Sequence, residues 1–224
     1  MKITDIDAFQ VFDSRGNPTL EAEVTLEDGT KASAIVPSGA STGKFEALEL
    51  RDGDEEHFLG RSVYRAIENV KGPIRTGLLG KHVHDQAGLD ELMIAADGTE
   101  NKSRLGANAI LGVSMASARA SAASRNRPLF ENLTDGDGSL LPLPEIQIIG
   151  GGAHAGGRID IQDFMIICTG ADTYRECMEM TFTVYHQCGR LLEEQGRRAG
   201  VADEGGYWPE FDSNEQVFEV LIEA

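Results

Sequence analysis

The chain has 224 residues, of which 41% are hydrophobic and 25% charged, with 20 Lys and Arg against 37 Asp and Glu for a net charge of −17. That length allows one large domain or two smaller ones, and the charge repels phosphate backbones, which excludes nucleic acid as a partner of the general surface. No stretch approaches the ~20 apolar residues that span a bilayer, and Met1-Lys2-Ile3-Thr4-Asp5-Ile6-Asp7 lacks the basic-then-apolar pattern of an export signal, so no membrane partner and a cytoplasmic location are expected.

Residues 2–12 alternate Ile, Phe and Val with polar groups and end at the dense turn signal Asp13-Ser14-Arg15-Gly16-Asn17-Pro18. Residues 19–26 alternate cleanly before Glu27-Asp28-Gly29, and residues 31–37 read as a third strand. Connections this short predict an antiparallel meander. Helical spacing runs over 60–70, 84–96 and 103–124, the last crowded with Ala, Ser and Gly, whose small side chains let helices pack closely. Asn132-Leu133-Thr134-Asp135-Gly136-Asp137-Gly138-Ser139 interrupts all periodicity, so a domain boundary is placed there, giving 1–134 and 139–224.

Beyond the boundary, 145–149 and 161–167 read as apolar strands. Thr173 with Glu176 forms a capping box that opens a helix to about Gln195. Val201-Ala202-Asp203 reads as a short strand entering a Gly-Gly turn, and Ser213 with Gln216 opens a further helix. Strand, strand, helix, strand, helix suits the start of an α/β barrel with three strands. Cys168, Cys177 and Cys188 are odd in number and lack C-x-x-C spacing, which argues for reduced core thiols rather than a disulfide framework or zinc ribbon.

Several motifs carry chemistry. Ser38-Gly39-Ala40-Ser41-Thr42-Gly43-Lys44 matches a hydrolase elbow and nearly matches a P-loop, but it leaves a meander strand and opens no helix, so it reads as a lid loop offering hydroxyls and N–H groups, or as a structural turn. Gly150-Gly151-Gly152-Ala153-His154-Ala155-Gly156-Gly157 contains a G-x-G-x-x-A pattern with no helix after it, which excludes a dinucleotide site. His154 in that loop is a candidate substrate contact, or a plain loop residue. Gln162-Asp163 and Asp203-Glu204-Gly205-Gly206 place polar groups near otherwise apolar strands. Glu204 sits at a strand end, where barrel sites lie, and enclosure by Tyr207 and Trp208 would let it hold a proton to donate. Capping or a salt bridge is the plainer account of Asp163 and Asp203.

Four separated motifs together resemble the enolase family: Asp13-Ser14-Arg15-Gly16-Asn17-Pro18-Thr19, the segment 36–43, Leu105-Gly106-Ala107-Asn108-Ala109-Ile110-Leu111-Gly112-Val113-Ser114, and Asp203-Glu204-Gly205-Gly206. The likeness spans the chain in order. It implies an N-terminal α+β capping domain, with a three-stranded antiparallel meander plus helices, followed by the first part of a modified (β/α)8 barrel. That barrel would begin strand-strand-helix-helix, so the helical region from Tyr174 is expected in two pieces. The reaction implied is Mg²⁺-dependent dehydration of 2-phosphoglycerate, a small phosphorylated hydroxy acid, to phosphoenolpyruvate, with a lysine removing the proton next to the carboxylate. By motif, Glu204 is the general acid with Asp163 as its partner, His154 and Gln162 contact substrate, and Ser41 helps hold a second Mg²⁺.

The chain also departs from that pattern. The family's Asn-Gly-Gly-Ser-His appears as Gly150-Gly151-Gly152-Ala153-His154, its glutamate is shortened to Asp163, and its Gly-Phe-Ala-Pro reads Gly206-Tyr207-Trp208-Pro209. The resemblance places three metal-binding carboxylates, the lysine base and a substrate arginine in later barrel strands, and the last lysine here is Lys102. Such a lyase is expected to be inactive as this chain alone and to work as a homo-oligomer or with a companion C-terminal half. The alternatives are a paralogue acting on a phosphonate or carboxylated analogue, as in carboxyphosphonoenolpyruvate synthase, and a catalytically dead interaction module.

Overall fold

The computed structural model describes residues 1–39, 43–134, 138–157, 159–202 and 204–224, with backbone only at 153 and 154. The chain forms two compact units, Met1–Gly138 and Ser139–Ala224. Among the described residues no helix is long and apolar enough to cross a membrane.

In the first unit β1 (Ile3–Phe12), β2 (Pro18–Leu26) and β3 (Lys31–Ile35) form the antiparallel meander in the order β1-β2-β3. Period-two patterning decides its faces. Leu20, Ala22, Val24 and Leu26 on β2 are buried, while Glu21 and Glu23 between them point away from the core. The first helical stretch runs further than 60–70: α1 (Tyr64–Asn69) passes through a π turn, Val70–Ile74, into α2 (Arg75–Leu78). The Asp52 carboxylate accepts from the N–H groups of Tyr64 (2.8 Å) and Arg65 (2.9 Å) and so fixes the start. Pro73, which has no N–H to give, sits in the widened turn. Asp85 accepts from Gly88 N–H (3.1 Å) to cap α3 (Gln86–Asp97).

Helix α4 (Ala107–Ser124) packs on β2 and β3. Its inward face is made of small residues, with Ala109, Gly112, Val113, Ala116 and Ala120 buried. Buried Asn108 at its first turn bonds both backbone groups of Leu50 at 3.1 Å, tying the segment after the third strand to the helix. A short α5 (Leu129–Leu133) closes the unit.

The second unit contains β4 (Glu145–Gly150), β5 (Asp163–Ile167), α6 (Tyr174–Glu194), β6 (Arg198–Val201), β7 (Tyr207–Pro209) and α7 (Asn214–Glu223). Its sheet has four strands in the order β5-β4-β7-β6, one more than the three expected. The short segment read as one strand is a hairpin, with β6 antiparallel to β7 across a tight turn. The glycine-rich loop after β4 returns β5 antiparallel, whereas the crossover through α6 delivers β7 parallel to β4. Nor does α6 break in two. Thr173 Oγ1 accepts from Glu176 N–H (3.2 Å) to start it, and it runs unbroken to Glu194, burying Cys177, Cys188 and Leu192. All three cysteines are free and buried, and burial pushes the Cys188 thiol up to about 11.

Helix α4 approaches the sheet closely at Gly112, where an added Cβ would lie 2.7 Å from Leu20 Cδ2 and 3.1 Å from Val36 Cγ2. A Gly112→Val chain should therefore lose about 1–3 kcal/mol of stability through overpacking, read from its urea unfolding midpoint. An unchanged midpoint would show that α4 can lift from the sheet without cost.

Candidate active site

The C-terminal end of β4 collects the groups of interest. Gly150 pairs with Asp163 on one side and Ile149 with Tyr207 on the other. The start of β5 and the β6–β7 turn therefore both meet that end. Gln147, half-buried on β4, stands between them. Its Nε2 donates to Asp163 Oδ1 and also to Glu204 Oε2 (3.2 Å), while its Oε1 accepts from Gly206 N–H (2.9 Å). The second Asp163 oxygen accepts from Gln162 Nε2 at 3.1 Å.

Three partners leave the Gln147 amide one sensible orientation. Gly206 N–H can only donate, so it requires the carbonyl oxygen, and the NH2 group is then left facing the Asp163 and Glu204 carboxyl oxygens. Reversal would set an oxygen against two carboxylates. Gly206 must be glycine in this arrangement, since a Cβ there would come within 2.5 Å of Gln147 Oε1 and 2.9 Å of the Gly150 nitrogen.

The turn that carries Glu204 is held on both sides. Ala202 N–H donates to Gly206 O (2.8 Å), Gly205 N–H donates to Ala202 O (2.9 Å), and the Tyr185 hydroxyl of α6 donates to Gly205 O (2.9 Å). Glu204 itself is exposed. Enclosure by Tyr207 and Trp208 is not what the fold provides, because the hairpin turns both rings away. Tyr207 enters the core, 4% exposed, stacked on Tyr185 with ring centroids 4.4 Å apart, and burial raises its phenol above the usual range. Trp208 lies under the glycine loop, where a Cβ on Gly156 would meet Cζ2 at 3.1 Å.

That loop makes one 3-10 turn, Gly152–Ala155, pinned by Gly151 N–H to Gln162 O (2.6 Å) and Gly152 N–H to Ile159 O (2.9 Å). The backbone of His154 belongs to this turn, and its side chain lies outside the described residues, as do Asp203 and Ser41. What is described near Ser41 is the stem of its loop. Arg15 Nη2 donates to Ser38 O (2.7 Å), and Arg51 Nη2 donates to Ser38 Oγ (3.1 Å) and Glu49 Oε1 (2.7 Å).

Of the residues singled out from sequence, the fold thus brings Glu204, Asp163 and Gln162 together, and it adds Gln147. Sequence reading passed over Gln147 as an ordinary strand position. The available signal was a lone amide amid Ile146, Ile148 and Ile149. Among the described residues no group of three His, Cys, Asp or Glu could hold a metal ion.

An N-terminal α+β unit followed by strands and helices whose polar groups gather at one strand end defines a two-domain protein of the α/β-barrel class. Residues 3–133 match the family model "Enolase, N-terminal domain", and residues 138–224 match "Enolase, C-terminal TIM barrel domain". The chain is 50% identical to "Enolase" of Helicobacter pylori (strain G27) over 224 residues, covering 100% of this chain and 53% of that protein. The chain belongs to the enolase family and spans about half the length of this curated relative.

Removing the Tyr185 hydroxyl frees one side of the turn. A Tyr185→Phe chain should lose about 0.5–1.5 kcal/mol of stability, and amide exchange at 204–206 should quicken. Unchanged exchange there would mean that the Gln147 contacts alone hold Glu204.

Proposed function

We propose that this chain supplies the N-terminal domain and first barrel strands of an enolase-type hydro-lyase, which dehydrates 2-phosphoglycerate to phosphoenolpyruvate. The observation that carries the reading is the convergence of Asp163 and Glu204, distant in sequence, on one amide at the end of a barrel strand, in a chain of this family. An interaction module has no use for two carboxylates held in that way.

Family membership makes Mg²⁺ the expected cofactor, with Ser41 as one candidate ligand. The described residues do not by themselves form a site for it. In the dehydration a C–H bond and a C–O bond break and a C=C bond forms. Glu204 gives a proton to the departing hydroxyl, which leaves as water. Its exposure suits this role, because a carboxylic acid on a turn can reach a ligand lying over the strand ends. Asp163, with both oxygens held by Gln147 and Gln162, is fixed beside the proposed reacting centre. His154 and Gln162 are proposed substrate contacts. The base that takes the α-proton is not among these groups, since no lysine follows Lys102 in the sequence.

Further barrel strands, from a C-terminal segment or a companion polypeptide, would complete the reaction. Edge strands β5 and β6, together with exposed Phe218 and Ile222 on α7, support such an association. The reading places the protein in the cytoplasm.

Pure 224-residue chain given 2-phosphoglycerate and Mg²⁺ should show no rise in enolpyruvate absorbance, and a rise would sink the assignment of the base to other strands. In the enzyme completed by those strands, Glu204→Gln should cut product formation by roughly 10²-fold or more while exchange of the α-proton with solvent deuterium continues. Equal loss of exchange and turnover would show that Glu204 orients substrate instead.

A further inference from the structure

We infer that Gln147 is the positioning residue of this site: one carboxamide, fixed in orientation by a backbone donor, sets where both Asp163 and Glu204 present their charge. Its relevance to catalysis rests on the lyase reading above, whereas its existence as a structural device does not.

Three observations carry it. First, a single nitrogen serves both acids. The two Nε2 protons of an amide diverge by about 120° in one plane, so a nitrogen bonded to both Asp163 Oδ1 and Glu204 Oε2 fixes the angle between the carboxylates as well as their distance. Second, the other end of the amide is anchored to main chain, because Oε1 accepts from Gly206 N–H at 2.9 Å, two residues from Glu204. The hairpin turn and the acid it carries are thus set by the same side chain. Third, glycine at 206 is what admits the amide, since a Cβ there would lie 2.5 Å from Oε1.

The arrangement also explains how the short side chain at 163 works. Asp163 reaches only a little way from β5, and Gln147 spans the remaining gap from the neighbouring strand. Among the described residues, the charged groups bonded to this amide are Asp163 and Glu204, with no cation between them. Two carboxyl groups converge on one NH2 group, whose two N–H bonds offer a donor to each.

The test reads the device without any turnover, so a failed lyase reading leaves it intact. In ¹⁵N-labelled 224-residue chain, the Gln147 side-chain NH2 resonances are identified by their loss in Gln147→Met. Both protons should lie away from the positions of a free glutamine amide, and both should move as the solution is acidified and the carboxylates protonate. The Gly206 amide should exchange at least about tenfold more slowly than in Gln147→Met, which has similar bulk but no acceptor for it.

Gln147→Glu then separates positioning from packing. It keeps the shape and the acceptor for Gly206 but replaces the NH2 by a third carboxylate. Like charges raise the folded-state proton affinity, so relative to the native chain this variant should be least destabilised at acid pH and fall further behind as pH rises through the carboxylate range. Its Tm at pH 7 should fall below that of the native chain by about 3 °C or more, and the gap should close near pH 4.

A gap independent of pH would show that Gln147 only fills space, and so would side-chain protons that stay at free-amide positions and ignore pH. Either result overturns the inference. If neither variant folds, the native Gln147 resonances are identified by their through-space contact with the Gly206 amide, and their pH titration decides alone.

Discussion

The Gln147 carboxamide is the constraint on which the candidate site depends. Strand β4 is joined antiparallel to β5 and parallel to β7, the strands beside which Asp163 and Glu204 arise. Gln147, midway along β4, touches both acids. Because Gly206 N–H dictates which end of the amide faces which partner, the orientation follows from backbone geometry rather than from the protonation state of the acids. Register, hairpin and carboxylate placement are consequences of one set of hydrogen bonds.

The two units solve different packing problems. The N-terminal unit buries a helix of small residues against a meander, so its stability lies in close approach, with Gly112 set against Leu20 and Ala22 of β2. It then presents a loop whose stem is clamped by Arg15 and Arg51. The second unit buries Ile148, Ile149, Phe164, Leu192 and Tyr207 beneath its sheet and leaves polar groups at the strand ends. A packed layer under an open polar rim is the barrel arrangement that allows chemistry to change without disturbing the core.

Much of this was legible beforehand, for physical reasons. Period-two alternation gave the meander, because β2 is buried on one face only. The Asn132 to Ser139 turn formers marked the end of periodicity. Four spaced motifs pointed to the enolase family, and Asp163 with Glu204 drew notice as acids beside apolar strands. Other features were hidden because they depend on tertiary contacts. The helix start at Tyr64 is set by Asp52, twelve residues earlier, and the chain passes Pro73 through a π turn that no local pattern announces. The β6–β7 hairpin was read as one short strand, since neither half is long enough to show alternation. Enclosure of Glu204 failed as an expectation because residues adjacent in sequence alternate in direction, so that Tyr207 went to the core. Gln147 escaped notice because a single amide in an apolar strand gains meaning only when its partners arrive from β5 and the hairpin.

The central claim, that one amide holds both carboxylates, is tested most directly by neutron diffraction from crystals of the deuterated chain at neutral pH. The account predicts two deuterium atoms on Gln147 Nε2, one directed at Asp163 and the other at Glu204, with Oε1 receiving the Gly206 amide deuterium. An amide turned the other way, with a deuteron on Asp163 or Glu204 pointing at Oε1, would contradict it.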